Sequence, residues 1–512
     1  MDRTDATGTP IKPGKSSQKT SLSSAILEAA LDRSGTSTKT GLRNLPAELL
    51  QEIIRRVASG SAGDTAAGLH ALMLSNRFLN ASVLNGKSVK EHYLFLQPLI
   101  GAFNALKPDL AIHEINSQML ALMGPKQRQE QVAAVLGLAD ELEKAYAIAR
   151  LGAGLAALER SQQEALVTAA LGLAFAPYKA QAIAGLGAGL AALEPKQQED
   201  LVTAALDLAD GWDKARALAG LGAGLASLER SQRQALVTAA LSLKWGKAEA
   251  IAGLGAGLAH LSESQREDLV TAALRLNGWD KAQAIAGLGA GLAHLSESQR
   301  EDLVTAALGP SDEGRKAKAI AGLSAGLAHL SESQREDLVT AALGLTDEGH
   351  KAEALAGLGA GLVALERSQQ QALVKAALGL AFRGNKAEAI AGLGAALTAL
   401  ERPQQEALVK ATLNLADGGD KAKAIVGLGA GLAALDRTQQ QALVTAALGI
   451  ANWWDKAQAI AGLGAGLVAL DGTQQQALVT AALGLAVKGH QAHAIAGLVN
   501  GYQASRVRDY LR

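Results

Sequence analysis

Three kinds of residue in this chain of 512 residues have the type and spacing to do chemistry. Glycines recur in the phrase "AIAGLGAGLAAL" (182–193), which returns almost letter for letter about every 35 residues. A dinucleotide-binding loop needs G-x-G-x-x-G between a strand and a helix, so that backbone N–H groups can approach a pyrophosphate. Here Gly185, Gly187 and Gly189 are too closely spaced for that pattern, and no strand-like run precedes them. Histidines come next: His260, His294 and His329 hold equivalent places in successive copies. A helix-packing pitch of ~10 Å is too wide for them to share a metal whose ligands lie at ~2 Å. A protonatable residue near a helix C-terminus suits them better. His490 and His493 form an isolated H-x-x-H with no third ligand nearby in the sequence. Last are the tryptophans: Trp212, Trp245, Trp279, Trp453 and Trp454 all fall in short connecting turns. There is no Cys, which removes disulfides, thiolate nucleophiles and Cys-based zinc sites together. With no nucleophile–base set, metal cluster or phosphate loop, the expectation is a protein that is not an enzyme and carries no cofactor or metal.

The elements that position these residues are repeats. The phrase "KAxAIAGLGAGL" opens at Lys144, Lys179, Lys214, Lys247, Lys281, Lys316, Lys351, Lys386, Lys421 and Lys456, with Gln491 at the eleventh place. Steps are 35 residues, apart from one of 33 and one of 34. A degenerate half-unit precedes them, because "GPKQRQEQVAAVLGLAD" (124–140) matches "EPKQQEDLVTAALDLAD" (194–210). Self-similarity at this period outranks any local motif. Helix A is expected from Lys179 to about Leu193, with Ile183, Leu186, Leu190 and Leu193 at i, i+3, i+7 and i+10 as one apolar stripe. Helix B is expected from about Gln162 to Leu173, with Ser161 as N-cap and Glu164 closing a capping box. Ser264 and Glu267 repeat that device, and Pro403 takes the cap position in a later unit. Stacked αα-hairpins make an α-solenoid, so the fold class is all-α, with about eleven two-helix repeats.

The chain's own copies test what the glycines are for. The first glycine is Arg150 in the opening unit; the second is Ser324 in one unit and Val499 in the last; the third is Ala396 in another. A backbone held at positive φ would not readily accept Val or Arg. Three helical glycines per unit over ten units cost on the order of 30 kcal/mol relative to Ala, so something must offset them. Close approach of neighbouring helices is the expected offset, and the phrase is a packing surface. Helices A and B barely vary between units, whereas the turn from B to A does. Two residues before each helix A Lys stands almost always Gly or Trp, the Gly suiting a C-terminal turn of helix B. Trp212, Trp245 and Trp279, in three successive units, would form a ridge along one edge. They are expected either to anchor a partner, together with Trp453 and Trp454, or to lie back over the seams between units.

Composition narrows the partners. Lys and Arg total 49 and Asp and Glu total 49, so no general attraction to nucleic acid is expected. No uninterrupted apolar run approaches the ~20 residues that span a bilayer. Residues 1–43 are rich in Ser, Thr, Gly and Lys and cannot build a core; they suit an export signal of the bacterial type III kind or a solvated tail.

A different texture fills 44–95. In "NLPAELLQEIIRRV" (44–57), Pro46 fits a first helical position, and Leu49, Leu50, Ile53, Ile54 and Val57 form an apolar face. A second amphipathic stretch, "LHALMLSNRFLNASVL" (69–84), follows a Gly/Ser turn. Together, "LPAELLQEI" and "LMLSNRFLNAS" resemble an F-box, over less than a fifth of the chain. The resemblance implies docking to the Skp-type adaptor of a cullin–RING ubiquitin ligase. By position, Leu45, Pro46, Glu48, Leu49, Leu50 and Ile53 fall in the first contact helix, and Leu74, Ser75 and Phe78 in the second. The longer link Ser59 to Gly68 and the absence of the usual Trp near the end depart from the family pattern. A capping helix bundle for the solenoid is the alternative for this segment.

The organisation read from sequence is 1–43 as a tail, 44–95 as the F-box-like domain, 96–143 as linker helices and a degenerate repeat, 144–490 as ten repeats and 491–512 as a partial repeat or cap. That order resembles the F-box effectors that plant-pathogenic bacteria inject into host cells, whose receptors are commonly leucine-rich repeats. The expected function is a substrate adaptor, working in the host cytoplasm or nucleus, that binds a Skp-type adaptor at one end and a target protein along the repeats. The alternative is a repeat-coded binder resembling TAL-effector arrays, with one variable turn per unit. Against it, the turn lies late in the unit, and phosphate binding favours net positive charge.

Overall fold

The computed structural model describes residues 98–106, 110, 112–209 and 211–511. The F-box-like segment, with Leu45, Pro46, Glu48, Leu49, Leu50, Ile53, Leu74, Ser75 and Phe78, lies outside them. Among the described residues every regular element is helical. Eleven B helices, Pro125–Leu136 through Gly472–Leu483, alternate with eleven A helices, Glu141–Leu151 through Lys488–Leu511. The α-solenoid of two-helix repeats is therefore present in the count expected.

Every unit but the last holds one element more than the sequence pattern suggests. Helix A stops at the glycines, except that the last, Lys488–Leu511, runs on. Ala176–Gly187, which starts three residues before its register Lys, is followed by a 3-10 turn, Leu190–Ala192. Gly189, between them, has φ −104° and ψ 10°, a conformation outside the helix that still lies at negative φ. Helix A therefore does not run on to Leu193, although the apolar stripe is buried as expected, with Ile183, Leu186 and Leu190 fully covered. Helix B is Arg160–Leu171, two residues earlier than expected, and its cap moves accordingly. Ser262, rather than Ser264, caps Glu263–Arg275, its hydroxyl accepting from the N–H of Gln265 while the Gln265 amide oxygen accepts from the N–H of Ser262. Pro403 stands in the first turn after the Glu401 cap, where its missing N–H costs nothing.

The A helices stack backbone against backbone. A methyl group on Gly185 would run into the backbone of Ala149 in the preceding A helix, and one on Gly187 into the Gly220 carbonyl of the next. Gly189 faces the Gly152 carbonyl and Leu155. The same interlock recurs at Gly253 against Ala219 and at Gly255 against Gly287. Only Gly211, Gly246 and Gly278 among the described residues have positive φ, each just before helix A or at its first residue, so the glycines of the stacked face are there for proximity. The departures fit this reason. Arg150 is exposed, because no A helix precedes its own. Val499 is fully buried in the last A helix, which no further A helix follows. Ser324 is buried too, its hydroxyl donating to the Ile320 carbonyl at 2.7 Å.

The array's ends meet. The last helix packs on Ser117–Leu120, ahead of the first A helix, and the Asn500 side-chain amide donates to the Gln118 carbonyl at 3.3 Å. Stacked repeats need their terminal faces covered; here each end covers the other.

Candidate functional site: the turn edge

The turns that lead from helix B to helix A belong to helix A. Asp312, Asp347 and Asp417 accept N–H groups from its first turn, and Asn452 caps Trp453–Leu463 in the same way. Gly314, Gly349, Gly384 and Gly419 accordingly sit inside the first turn of helix A; they are not the C-terminal turn of helix B, as the pattern suggested. Short polar side chains that satisfy orphan N–H groups decide which helix claims a turn.

Four of the five tryptophans stand at helix A N-termini: Trp212 and Trp453 open their helices, with Trp279 and Trp454 one residue in. Trp245 precedes its helix. All five, with Phe175 and Phe382 at the same edge, are between 43% and 66% exposed. The expectation that they lie back over the seams is met at two of them. Trp279 reaches across the seam, its ring lying where a side chain at Gly314 of the next unit would be, and Trp212 does the same beside Gly246. A flat ring laid over a glycine keeps one face on the seam and offers the other to solvent. Near the array's end, Trp454 stacks on His493 with ring centroids 5.4 Å apart and tilts against His490 at 5.1 Å, while the Lys456 ammonium lies 5.3 Å from the Trp453 ring. Burial, with the neighbouring charge of His490 as a second cause, holds His493 below the usual imidazole range. His490 and His493 thus pack on an aromatic ring, and no group of three His, Cys, Asp or Glu capable of holding a metal occurs among the described residues. His260, His294 and His329 are exposed at the ends of the 3-10 turns. They sit at the end of the A-side helical segment, as expected, but beyond the break in helix A.

Two devices escaped sequence reasoning. The second Gln of "SQQE" points inward: Gln163 Nε2 donates to the carbonyls of Leu155 and Leu158, at 2.8 and 3.1 Å, tying the 3-10 turn to the following helix. Gln198, Gln370, Gln405 and Gln440 repeat this, and Arg233 and Arg266 substitute a guanidinium. The signal was present as a Gln or Arg at one register, but it reads equally as a helix surface residue. The second device links units. The Glu313 carboxylate accepts from the N–H groups of Thr346 and Asp347 and from the Thr346 hydroxyl; Glu141 and Glu348 hold the next turn likewise. The Asp347 N–H, then the Thr346 hydroxyl and N–H, lower the pKa of Glu313 to about 2. Helix A also varies more than its sequence suggests. The residue two after the register Lys is solvent-facing and changes freely, as in Tyr146, Arg216, Glu249, Lys318 and Lys423, with Lys423 paired to Glu388 across a seam at 2.9 Å.

No described helix is long and apolar enough to cross a membrane. Comparison with known proteins gives no matching family model and no matching curated protein. Among solved structures the chain is similar to an engineered protein, at 18% identity over 72% of this chain and 98% of that one, with a TM-score of 0.24. It is also similar to importin beta, at 12% identity over 90% of this chain and 63% of that one, TM-score 0.34. A third is Kap121p bound to RanGTP, at 11% identity over 96% and 68%, TM-score 0.33. Scores this low carry no functional inference, and the fold stands on the chain's own helices.

Proposed function

We propose that the protein is a non-enzymatic adaptor: the array holds a target protein along its turn edge, and segment 44–95 recruits a cullin–RING ubiquitin ligase through a Skp-type adaptor. The observation that carries the array half is the row of exposed aromatic side chains, Trp212, Trp245 and Trp279 in successive units, with Trp212 and Trp279 backed by a seam. Rigid, half-covered aromatics lose little conformational entropy on binding and serve as anchors. What supports the ligase half is sequence alone, "LPAELLQEI" followed by "LMLSNRFLNAS". The Ser/Thr-rich residues 1–43 extend the proposal to a bacterial effector exported into a host cell, where it acts in the cytoplasm or nucleus.

Co-purification of the full chain with a Skp-type adaptor tests the ligase half. Binding that is lost with Leu45→Ala and Pro46→Ala, but kept with Trp212→Ala, Trp245→Ala and Trp279→Ala, is the expected outcome. Failure of the unaltered chain to bind any such adaptor overturns this half.

A further inference from the structure

One stretch of the array gathers basic residues in adjacent units. At the register where eight B helices carry Thr in "LVTAAL", such as Thr340 and Thr445, two consecutive ones carry Lys375 and Lys410. At the register where Glu141, Glu313 and Glu348 hold the next turn, the unit after Glu348 carries Arg383. Arg383, Lys386 and Lys410 converge on one groove of about 530 Å³, together with the side-chain amide of Asn414 and the apolar walls Leu378 and Leu415. No Asp or Glu lines it. Among the described residues, none of the ion pairs involves Arg383, Lys386 or Lys410. A groove on the same side of the array, at Thr480 and Gln476, contains no charged residue. Phe382, 66% exposed, stands beside the charged groove.

We infer that this groove binds an acidic peptide segment of a partner protein, its carboxylates meeting Arg383, Lys386 and Lys410 and an apolar side chain covering Phe382. Three cations gathered in a concave surface focus field and favour a multiply charged anion, even though Lys386 also acts on the Glu348 carboxylate of the preceding turn. A guanidinium offers a fork that a carboxylate matches. The neighbouring turns choose the class of partner. Asp347 and Glu348 stand in the turn before the groove, and Asp417 and Asp420 in the turn after it. A phosphodiester backbone needs a continuous basic track and would meet those four carboxylates on either side; a short acidic segment fits between them. The inference rests on the array being a target-binding scaffold and is independent of the ligase half.

The test is fluorescence anisotropy of the full chain with a fluorescein-labelled decapeptide of Glu and Asp around one Phe. Its Gln/Asn counterpart and a ten-residue oligothymidine serve as competitors for comparison. The variant Arg383→Glu with Lys410→Thr gives both positions the residues that other units already carry, so the array has no reason to unfold; circular dichroism checks this. Expected are at least tenfold weaker peptide binding by the double variant, about threefold weaker binding by Lys410→Thr alone, and no measurable binding of the Gln/Asn peptide. Equal binding by the folded double variant, no binding by the unaltered chain, or oligothymidine binding as tightly as the peptide overturns the inference. Adaptor co-purification that fails while the peptide still binds removes the ligase half alone.

Discussion

The stacked A helices and the turn edge beside them are built from the same few residues under opposite constraints. In the stack, glycine is demanded by a neighbour: a methyl on Gly253 would enter the backbone of Ala219, so ten units repeat one phrase almost without change. At the edge, the conditions are loose. A turn needs only a cap for helix A and something flat or small across the seam. Asp-Glu-Gly, Gly-Trp-Asp and Trp-Trp-Asp all serve. Diversity in this protein therefore collects where packing does not forbid it.

The sharpest way to break this comparison is to put the same methyl group into both environments. Gly253→Ala should lower stability by about 3 kcal/mol, the upper range for overpacking, read as a drop in the urea midpoint of the full chain. Gly344→Ala, at the end of a B helix with nothing near its Cβ, should stay within about 0.5 kcal/mol of the unaltered protein. Similar midpoints for the two would show that the helical glycines are not held by their neighbours.

A smaller effect is expected at the joint between the two regions. Gln405 is buried, and its amide serves the carbonyls of Leu397 and Leu400, both at 2.9 Å. Gln405→Ala removes the side-chain donor from both carbonyls, of which Leu397 keeps the N–H of Leu400, and should cost about 1–3 kcal/mol. Gln405→Arg should recover most of it, since Arg233 and Arg266 already reach the equivalent carbonyls. Denaturation midpoints in which Arg is no better than Ala would contradict the assigned role.

The smallest effect belongs to the exposed seam carboxylate. Glu313 titrates at about 2 in the folded chain, below its ordinary 4.5. A depressed folded pKa contributes stability that is complete above the unfolded value and lost as pH falls from 4.5 toward 2. Unfolding midpoints of the unaltered chain should therefore fall more steeply between pH 5 and about 2 than those of Glu313→Gln. Parallel curves would show that the carboxylate does not hold the next turn.

Much of the architecture was legible because repetition supplies its own controls. Copies with Arg150, Ser324, Ala396 and Val499 in place of glycine already separated packing from backbone freedom, and burial of Ile183, Leu186 and Leu190 follows from helical spacing. The turns were harder. A glycine between two helices can end one or begin the other, and the caps Asp312 and Asp347 settle this only through their hydrogen bonds. The cap of helix B was misplaced by two residues for a similar reason: Ser262 and Ser264 are both good N-caps, and only the chain's path out of the 3-10 turn selects the first.

Sequence by itself determined the period, the helical hairpin and the smallness of the stacked helix, because these are local rules imposed many times over. Tertiary structure alone decided that helix A breaks at its glycines, that the inward Gln ties the break to helix B, that tryptophans lie across seams with one face free, and that Arg383, Lys386 and Lys410 share one groove. The close approach of the helices and the placing of rings over seams depend on groups a full repeat apart. The Gln tie and the groove depend on how the chain folds back on itself, and spacing along the sequence records none of this.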